Sequence, residues 1–260
     1  MLIEMIPELV KQNKNVALVS VISSSGSTPA EVGKEMIVDA NGIIDGTVGG
    51  GNLEFRAIKV AQECLKNRLS QKFEFDLNKD LSMLCGGTVE IYVKVYCPST
   101  HLVLIGAGHI NKVLYQLAEI LGYKTTIIDD RAELLTKENF PNASELILGD
   151  IGAEAEKLEV FADDTFVVIA SHGHLCDQDA VESMLLKKTK YIGVIGSKAK
   201  VEKMLEKLSK KGFSKEDMDR IYAPIGIALG GQRPSEIAMS IMGEILLIKN
   251  GGKLEHMKGI

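Results

Sequence analysis

The stretch that decides the fold is HLVLIGAGHIN, residues 101–111. Its apolar run LVLI predicts a buried strand, and an amphipathic helical pattern follows from Val113. Between them, Gly106 permits a tight turn, and Gly108 lets the backbone approach a pyrophosphate group. The start of the helix, at His109, would add free N–H groups and the positive end of the helix dipole. The segment therefore predicts the strand, phosphate-binding turn and helix of a dinucleotide-binding domain.

Two further residues bear on what this turn binds. Asn111 stands where the dinucleotide-binding pattern has its third glycine or an alanine, so the match to that pattern is incomplete. Asp129 ends the next predicted strand, 23 residues after Gly106, where a carboxylate can accept hydrogen bonds from ribose hydroxyls and repel a 2′-phosphate. The pattern favours a nucleotide-bearing ligand. The alternative is a fold of this class that keeps the glycine turn and binds nothing.

Strands alternate with helical or loop segments through residues 99–260. The predicted strands are HLVLIG, KTTIID, ELILG, DTFVVIAS and KYIGVIG, with a last strand near residues 220–223 and a helix over residues 234–248. Such alternation is typical of parallel strands joined by right-handed crossovers, with helices on both faces of the sheet. We therefore expect a Rossmann-like, doubly wound parallel sheet in this region.

Residues 1–98 predict a smaller α+β domain. A short helix at residues 3–13 precedes a continuous β-branched strand, and Asn41-Gly42 between two apolar runs predicts a hairpin. A helix over residues 52–67 and the strands KFEFDL and TVEIYVKVY follow. Residues 97–100, with one proline and two hydroxyl side chains, are typical of a linker. The expected fold class is α/β, with the Rossmann-like domain C-terminal to the α+β domain.

A glycine triplet is a candidate binding element of the first domain. Gly49, Gly50 and Gly51 precede a predicted helix, where successive backbone N–H groups can form an anion-binding nest. The alternative is that the glycines only allow tight packing. Residues 23–33, SSSGSTPAEVG, are either a turn or a ligand-binding loop, and composition does not decide between the two.

A cysteine with two following glycines is the second candidate in the first domain. Cys85, Gly86 and Gly87 lead into a strand, and glycines beside a thiol give it access and backbone donors that lower a thiol pKa. Reactive sulfur chemistry is one interpretation of this pattern. A small buried hydrophobic side chain at the start of a strand is the other.

The later candidates follow strands or precede helices of the second domain. His172 and His174 come just after the strand DTFVVIA, at the edge where ligands bind in open α/β sheets. With Cys176 nearby they could ligate a metal, but no third ligand has a defined spacing, so we expect hydrogen bonds to a cofactor and no metal site. Arg233 precedes the last helix and is either a phosphate- or carboxylate-binding side chain or a solvated one.

Composition and the N-terminal sequence limit the classes of partner and the cellular location that we expect. The net charge of -5 comes without a basic stripe, so nucleic acid is not an expected partner. The N-terminus lacks signal-peptide features, and no stretch approaches the roughly 20 apolar residues of a membrane span. We therefore expect no membrane association, a cytoplasmic location and four reduced cysteines. A homodimer is the expected assembly.

Seven blocks of the chain together resemble one protein family. They are GSTP at residues 26–29, DGTVGGGNLE at 45–54, CGGTVEIYV at 85–93, GAGHI at 106–110 with IIDDR at 127–131, SHGH at 171–174, YIGVIGSKAK at 191–200 and APIGIALGGQRPSEIAMSI at 223–241. In this order they are similar to the XdhC/CoxI family of xanthine dehydrogenase accessory proteins. The resemblance spans nearly the whole chain.

The resemblance implies a protein that binds molybdenum cofactor (molybdopterin) and promotes its sulfuration with a cysteine desulfurase. It further implies delivery of the cofactor to a xanthine dehydrogenase or related molybdenum hydroxylase. Carried onto this sequence, it makes Cys85 the candidate for contact with molybdenum or sulfur, and residues 49–51 a candidate pterin-phosphate site. His109 in GAGHI and Arg131 in IIDDR join the cofactor-binding candidates. We expect these elements to face a shared cleft.

The leading interpretation is a maturation chaperone rather than a turnover enzyme. The main alternative is an NAD(P)-dependent oxidoreductase, with NAD(P) on the glycine turn and His172 or His174 as acid or base. A third interpretation is an interaction module that delivers a desulfurase to its client protein.

Overall fold

The structure is a computed structural model, described over residues 2–77, 87–160, 164–172, 174–187, 189–256 and 258. The chain divides into two compact units, Met1–Pro98 and Ser99–Ile260, called unit 1 and unit 2 below. Within the described residues, no helix combines the length and the apolar composition that crossing a bilayer requires.

Unit 1 is built on a five-stranded antiparallel sheet with the strand order β3-β2-β1-β5-β4. The hairpin predicted at Asn41-Gly42 joins β2 to β3, and the Asp39 carboxylate accepts the N–H groups of both turn residues. The elements of unit 1 are α1 (Leu2–Lys11), β1 (Val16–Gly26), β2 (Glu35–Asp39), β3 (Gly42–Gly46), α2 (Gly51–Asn67), β4 (Gln71–Asp76) and β5 (Gly87–Tyr96).

Each helix of unit 1 covers part of the sheet. On α2, Leu53, Ala57 and Ala61 are fully buried in the larger apolar cluster of the unit. On α1, Ile6 and Leu9 pack in a separate, smaller cluster with residues of β1 and β2. Alternate residues of β1 enter the two clusters, because successive side chains of a strand point to opposite faces.

Unit 2 is a six-stranded parallel sheet with the strand order β11-β10-β9-β6-β7-β8. The strands are β6 (His101–Ile105), β7 (Lys124–Asp129), β8 (Glu145–Leu148), β9 (Thr165–Ile169), β10 (Tyr191–Val194) and β11 (Ile221–Tyr222). The helices are α3 (His109–Ile120), α4 (Ile151–Lys157), α5 (His174–Leu185), α6 (Lys198–Lys210), α7 (Lys215–Met218) and α8 (Pro234–Asn250).

The helices of unit 2 lie on both faces of the sheet. Residues of α3 and α8 share one apolar cluster with one side of the strands, whereas α4, α5 and α6 share another cluster with the opposite side. From β6 the chain first adds strands on one side, β7 and β8, and then returns to add β9, β10 and β11 on the other. The predicted doubly wound parallel sheet is confirmed, and its direction of winding changes between β6 and β9, where such folds bind ligands.

Candidate functional site

The turn after β6 has the geometry that its glycines predict. Gly106 has φ +106°, and a Cβ added there would lie 2.4 Å from the carbonyl oxygen of Ala170, at the end of β9. Only glycine fits this position, because both the backbone conformation and the close approach exclude a side chain. Gly108 is the N-cap of α3, and no atom lies within 4 Å of the Cβ position there. The surface above Gly108 is therefore open at the start of the helix.

The Asp129 carboxylate is used within the protein. One oxygen accepts hydrogen bonds from the backbone N–H and the Nε of Arg131, at 2.9 and 2.8 Å. The other accepts from Nη2 of Arg131 at 2.7 Å and from the backbone N–H of Ala107 at 2.5 Å. A carboxylate has about four acceptor positions, so all are occupied. The sequence assigned this residue to ribose hydroxyls, whereas in the structure it fastens the end of β7 to the glycine turn.

The electrostatics of Asp129 agree with this anchoring role. Burial by itself raises the pKa of the carboxyl. The hydrogen bonds from Arg131 and Ala107 and the charge of Arg131 outweigh burial, and the pKa lies below its ordinary value. The residue is therefore a buried, ionised carboxylate whose charge is balanced by the half-buried Arg131.

Asn111 explains the departure from the glycine pattern. Its side chain is fully buried, and its Nδ2 donates to the carbonyl oxygens of Ile105 and Gly106, at 3.1 and 2.7 Å. The amide thus holds the end of β6 and the turn from beneath. Where other proteins of this fold have a small residue for close packing of helix against strand, this chain has a hydrogen-bonding one.

His172 joins the end of β9 to the end of β7. Its Nε2 lies 2.8 Å from Oδ1 of Asp130, and both side chains are partly exposed. Arg131 also approaches Asp130, with Nε at 3.9 Å from the same oxygen. The structure therefore brings Gly106, Asp129, Arg131 and His172 together at the carboxyl edge of the sheet.

The remaining candidates of unit 2 have separate positions. His109 is the exposed first residue of α3, beside Gly108. His174 is the first residue of α5. Arg233 is exposed at the N-cap of α8, and there Glu236 already accepts its backbone N–H at 2.9 Å. Among the side chains that the structure describes, no group of three or more His, Cys, Asp or Glu could hold a metal ion.

In unit 1, the glycine triplet forms an open turn whose last residue, Gly51, begins α2. Gly49, Gly50 and Gly51 have φ of +133°, +75° and +60°. No atom lies within 4 Å of the Cβ positions of Gly50 and Gly51, and Gly50 is an N-cap without a side-chain hydrogen bond. The Glu54 carboxylate instead bonds the Thr47 hydroxyl and the N–H of Val48. The first N–H groups of the 17-residue helix α2 therefore face a surface that no side chain of the turn covers.

The loop over residues 26–30 contacts both glycine-rich segments of unit 1. Gly26 pairs with Gly87 in the β1–β5 ladder, and a Cβ on Gly87 would lie 2.4 Å from the carbonyl oxygen of Ser25. At the other end of the loop, a Cβ on Gly49 would lie 3.3 Å from the backbone of Pro29 and Ala30. The loop therefore connects the glycine triplet to the start of β5, which sequence alone left undecided.

The predicted reactive thiol is that of Cys85. Cys85 and Gly86 lie outside the described residues, and the chain is described again from Gly87. Two other cysteines have described side chains: Cys64, buried on α2, and the half-buried Cys97. Burial, with the charge of Glu63, raises the pKa of the Cys64 thiol. Cys64 is therefore a packing residue, and the role of Cys85 stays a prediction.

Comparison with known proteins identifies the family. The sequence matches the family model of the XdhC Rossmann domain over residues 102–245, and that of the XdhC and CoxI family over residues 9–76. The chain belongs to the XdhC/CoxI family. The resemblance drawn from the seven sequence blocks is thereby confirmed.

Three relatives of this XdhC/CoxI chain are informative. It is 34% identical over 248 residues to the uncharacterized protein YqeB of Escherichia coli, covering 94% of this chain and 45% of that protein. It is 28% identical to a probable xanthine dehydrogenase subunit of Bacillus subtilis, covering 61% and 46%. It is 23% identical to the molybdenum cofactor insertion chaperone PaoD of Escherichia coli, covering 77% and 60%. The chain thus spans about half the length of the first two.

One solved structure shares the fold over nearly the whole length. A crystal structure described as a xanthine dehydrogenase from Bacillus halodurans superposes with a TM-score of 0.54 at 21% identity, covering 97% of this chain and 96% of that one. At this identity the likeness supports the fold of the XdhC/CoxI chain, α+β unit and Rossmann domain included.

Sequence reasoning missed some residues and contacts of this XdhC/CoxI chain. Asp130, the partner of His172, adjoins Asp129 in the IIDDR block, and its position after a parallel strand could have marked it. The same rule applies to residues 196–200, which follow β10. No local signal could have shown that residues 26–30 contact the glycine triplet, since that contact depends on strand pairing.

Proposed function

We propose that this XdhC/CoxI protein is a xanthine dehydrogenase accessory protein that binds molybdenum cofactor and supports its maturation. Its finer role would be to aid sulfuration by a cysteine desulfurase and to insert the cofactor into a xanthine dehydrogenase or related molybdenum hydroxylase in the cytoplasm. The observation that carries the proposal is the family match in both units, joined by relatives named as a molybdenum cofactor insertion chaperone and a xanthine dehydrogenase subunit.

The glycine turns provide the donors that a phosphate-bearing cofactor needs. Gly50 and Gly51 leave the start of α2 open, and Gly108 does the same at α3. Backbone N–H groups and the positive end of a helix dipole bind phosphate without a charged side chain. A pterin phosphate therefore fits either turn, and we propose each turn as a candidate phosphate site within its own unit.

Cys85 is proposed to contact the cofactor at its molybdenum or sulfur. Gly87, two residues after Cys85 in the sequence, contacts the loop that reaches the glycine triplet. When bound, the cofactor supplies the metal centre on which a recipient hydroxylase depends. The contribution of this chain is to bind it, orient it and keep its sulfur accessible.

The state of Asp129 weighs against the NAD(P)-dependent oxidoreductase. A nucleotide ribose would need a free carboxylate at the end of β7, and all acceptor positions of Asp129 are occupied by Arg131 and Ala107. Binding of NAD(P) in the usual way would require breaking this buried ion pair. A phosphate ligand without a nucleotide, or one whose ribose does not reach Asp129, can bind at the turn without breaking this ion pair.

Cofactor retention tests the proposal directly. The purified full-length chain is mixed with molybdenum cofactor and passed through gel filtration, and the retained pterin is oxidised and measured by fluorescence. We expect the cofactor to elute with the protein. Elution without pterin, at protein concentrations that keep the chain folded, contradicts the proposal.

Variants assign the binding to the proposed elements. Gly50→Asp and Gly108→Asp place a carboxylate in the open turns and should lower retention by about tenfold or more through charge repulsion. Gly212→Asp is the matched control for Gly50→Asp, because Gly212, like Gly50, has positive φ and open space but lies in the turn after α6. Cys85→Ser should weaken retention, whereas Cys97→Ser should not.

The partners are proposed on the same basis and are tested separately. A pull-down from the loaded protein should recover a molybdenum hydroxylase and a cysteine desulfurase, and recovery of the desulfurase alone by unloaded protein would favour the interaction module. Light scattering should give twice the chain mass of 28.3 kDa if the protein is a homodimer.

A further inference from the structure

A cavity of about 330 Å³ lies between β10, α5 and α6 in unit 2. It is lined by the end of β10, by Gln178 of α5 and by the first three turns of α6. None of its lining residues belongs to the glycine turn or to the group of Asp129, Arg131 and His172. Like those residues, it lies at the carboxyl edge of the sheet, where open α/β folds bind ligands.

The cavity is lined by cations. Lys200, Lys203 and Lys207 succeed one another along one side of α6 and all three contribute to the wall. Of the residues that the structure describes, those that line the cavity include no carboxylate. The three ammonium groups therefore create a positive potential in a concave site, where charges are less screened than on a flat surface.

Near the C-terminal end of α6, lysine side chains bond to side chains of α5, whereas nearer its N-terminal end they bond to none that the structure describes. Lys211, just past the helix, contacts the Glu182 carboxylate at 2.7 Å, and Lys207 donates to the Gln178 side chain at 3.0 Å, one turn earlier. Lys200 and Lys203 lie further along the same side. The ammonium group of neither lysine makes a hydrogen bond or an ion pair with any residue in the described part of the chain.

The other lining residues include apolar side chains, and these restrict the chemical class of ligand that fits the cavity. Ile195 and Met204 are half-buried, and Val194 and Val201 also line the cavity, so an apolar surface lies beside the cations. A bare inorganic anion would leave this apolar surface in water. A ring or another apolar group attached to the anion would cover it, with a gain from the area removed from water.

We propose that this cavity binds a phosphorylated small molecule with a ring, such as a nucleoside diphosphate, its phosphates on Lys200 and Lys203 and its ring against Val201 and Met204. The site is separate from the glycine turns, and the inference does not rest on the proposed cofactor chemistry. A phosphate group suits the cluster because two or three ammonium groups can share its oxygens.

Isothermal titration calorimetry on the full-length protein tests the proposal. The probes are ADP, inorganic pyrophosphate and adenosine, each at low and at moderate salt. We expect ADP to bind more tightly than pyrophosphate and adenosine to give no measurable heat, because phosphate and ring both contribute. ADP affinity should fall as salt is raised, since the recognition is electrostatic.

The double variant Lys200→Gln, Lys203→Gln should weaken ADP binding by about tenfold or more. Lys210→Gln, Lys215→Gln is the matched control with the same change of net charge, because both residues lie outside the cavity lining. Met204→Ala should weaken ADP but leave pyrophosphate unchanged, which separates ring contacts from phosphate contacts. Circular dichroism confirms that each variant is folded.

Three results would overturn the inference. The first is that adenosine binds as tightly as ADP. The second is that the lysine double variant and the wild type bind ADP with equal affinity. The third is that Gly108→Asp loses ADP binding while the lysine double variant keeps it. The last result would put ADP on the glycine turn. Because ADP binding and molybdenum cofactor retention are measured independently, failure of one leaves the other proposal standing.

Discussion

The Asp129 carboxylate receives both Nε–H and Nη2–H of Arg131, at 2.8 and 2.7 Å, from a position that is fully buried. The same carboxylate accepts the N–H of Ala107, so that a side chain at the end of β7 fixes the backbone of the glycine turn. The geometry of the open surface at Gly108 thus depends on an ion pair at the end of the neighbouring strand.

Removing the Asp129 charge should therefore destabilise unit 2. We expect Asp129→Asn to lower the free energy of unfolding by about 2–3 kcal/mol, because the guanidinium of Arg131 loses its closest carboxylate and keeps only the more distant Asp130. The amide of asparagine also has one acceptor oxygen where the carboxylate has two, so fewer of the N–H groups of Arg131 and Ala107 are bonded. Urea denaturation followed by circular dichroism measures the loss. A similar loss is expected for Arg131→Gln.

A double-mutant cycle separates the ion pair from general disruption. In the variant with both substitutions, the loss should fall short of the sum of the single losses by about 1 kcal/mol or more, since the second change removes a charge already unpaired. Strict additivity of the two single losses would show that Asp129 and Arg131 do not act as a pair.

The glycine turn itself yields a matched pair of variants. Gly106→Ala should cost about 3 kcal/mol or more, because its φ of +106° disfavours alanine and its Cβ would lie 2.4 Å from the Ala170 carbonyl oxygen. Gly108→Ala should change stability by less than about 1 kcal/mol, since φ is −74° and no atom lies within 4 Å. Thermal unfolding of the two variants measures both losses of stability. Equal losses for Gly106→Ala and Gly108→Ala would contradict the geometry assigned to the turn.

The features of this chain that its sequence predicts are those formed by residues close together in the sequence. The strand, turn and helix around Gly106 follow from residues within about ten positions of each other, and so their prediction was confirmed. The ribose role given to Asp129 rested on position alone, and position does not show that Arg131 and Ala107 take up the carboxylate. Whether the Asp129 carboxylate is free or bonded depends on which residues lie together at the ends of neighbouring strands. A sequence pattern does not give that information.

The same limit applies to the other candidate elements. Asn111 was interpreted as a departure from the glycine pattern, because the pattern cannot show that an amide would bond two carbonyl oxygens beneath the turn. The contact of Pro29 and Ala30 with Gly49 likewise joins segments that are separated in the sequence. Sequence located these segments correctly and left their mutual contacts undetermined.

Asn111→Gly restores the usual glycine pattern and should nevertheless destabilise the protein. We expect a loss of about 2 kcal/mol or more, from two buried hydrogen bonds and from glycine within a helix. Lys112→Gly, at the next and exposed position, should cost about 1 kcal/mol for glycine within the helix, and it also removes an exposed hydrogen bond to Asn139. If Asn111→Gly is no worse than this control in chemical denaturation, the amide does not hold the turn.

His101 should make the stability of unit 2 depend on pH in weak acid. The residue opens β6, with Nε2 2.9 Å from the Thr126 hydroxyl, and burial together with the nearby charge of Lys124 lowers its pKa from the ordinary 6.5 to about 4. Above pH 6.5 the imidazole is neutral in the folded and unfolded chain alike, and it contributes no pH dependence. Between pH 6.5 and 4 the unfolded chain binds a proton that the folded chain does not, so stability falls as pH falls.

His101→Gln isolates this effect, because glutamine can still bond Thr126 but does not titrate. Urea denaturation at pH 7.5 and pH 4.5 should show the wild type losing about 2 kcal/mol more than the variant between the two conditions. His109→Gln, at an exposed position of α3, is the control for removing a histidine and should keep the wild-type difference. Asp129 does not confuse the comparison, since its lowered pKa shifts its own contribution below this window and both proteins retain it. Equal losses in the wild type and in His101→Gln would show that the buried imidazole accepts its proton without unfolding.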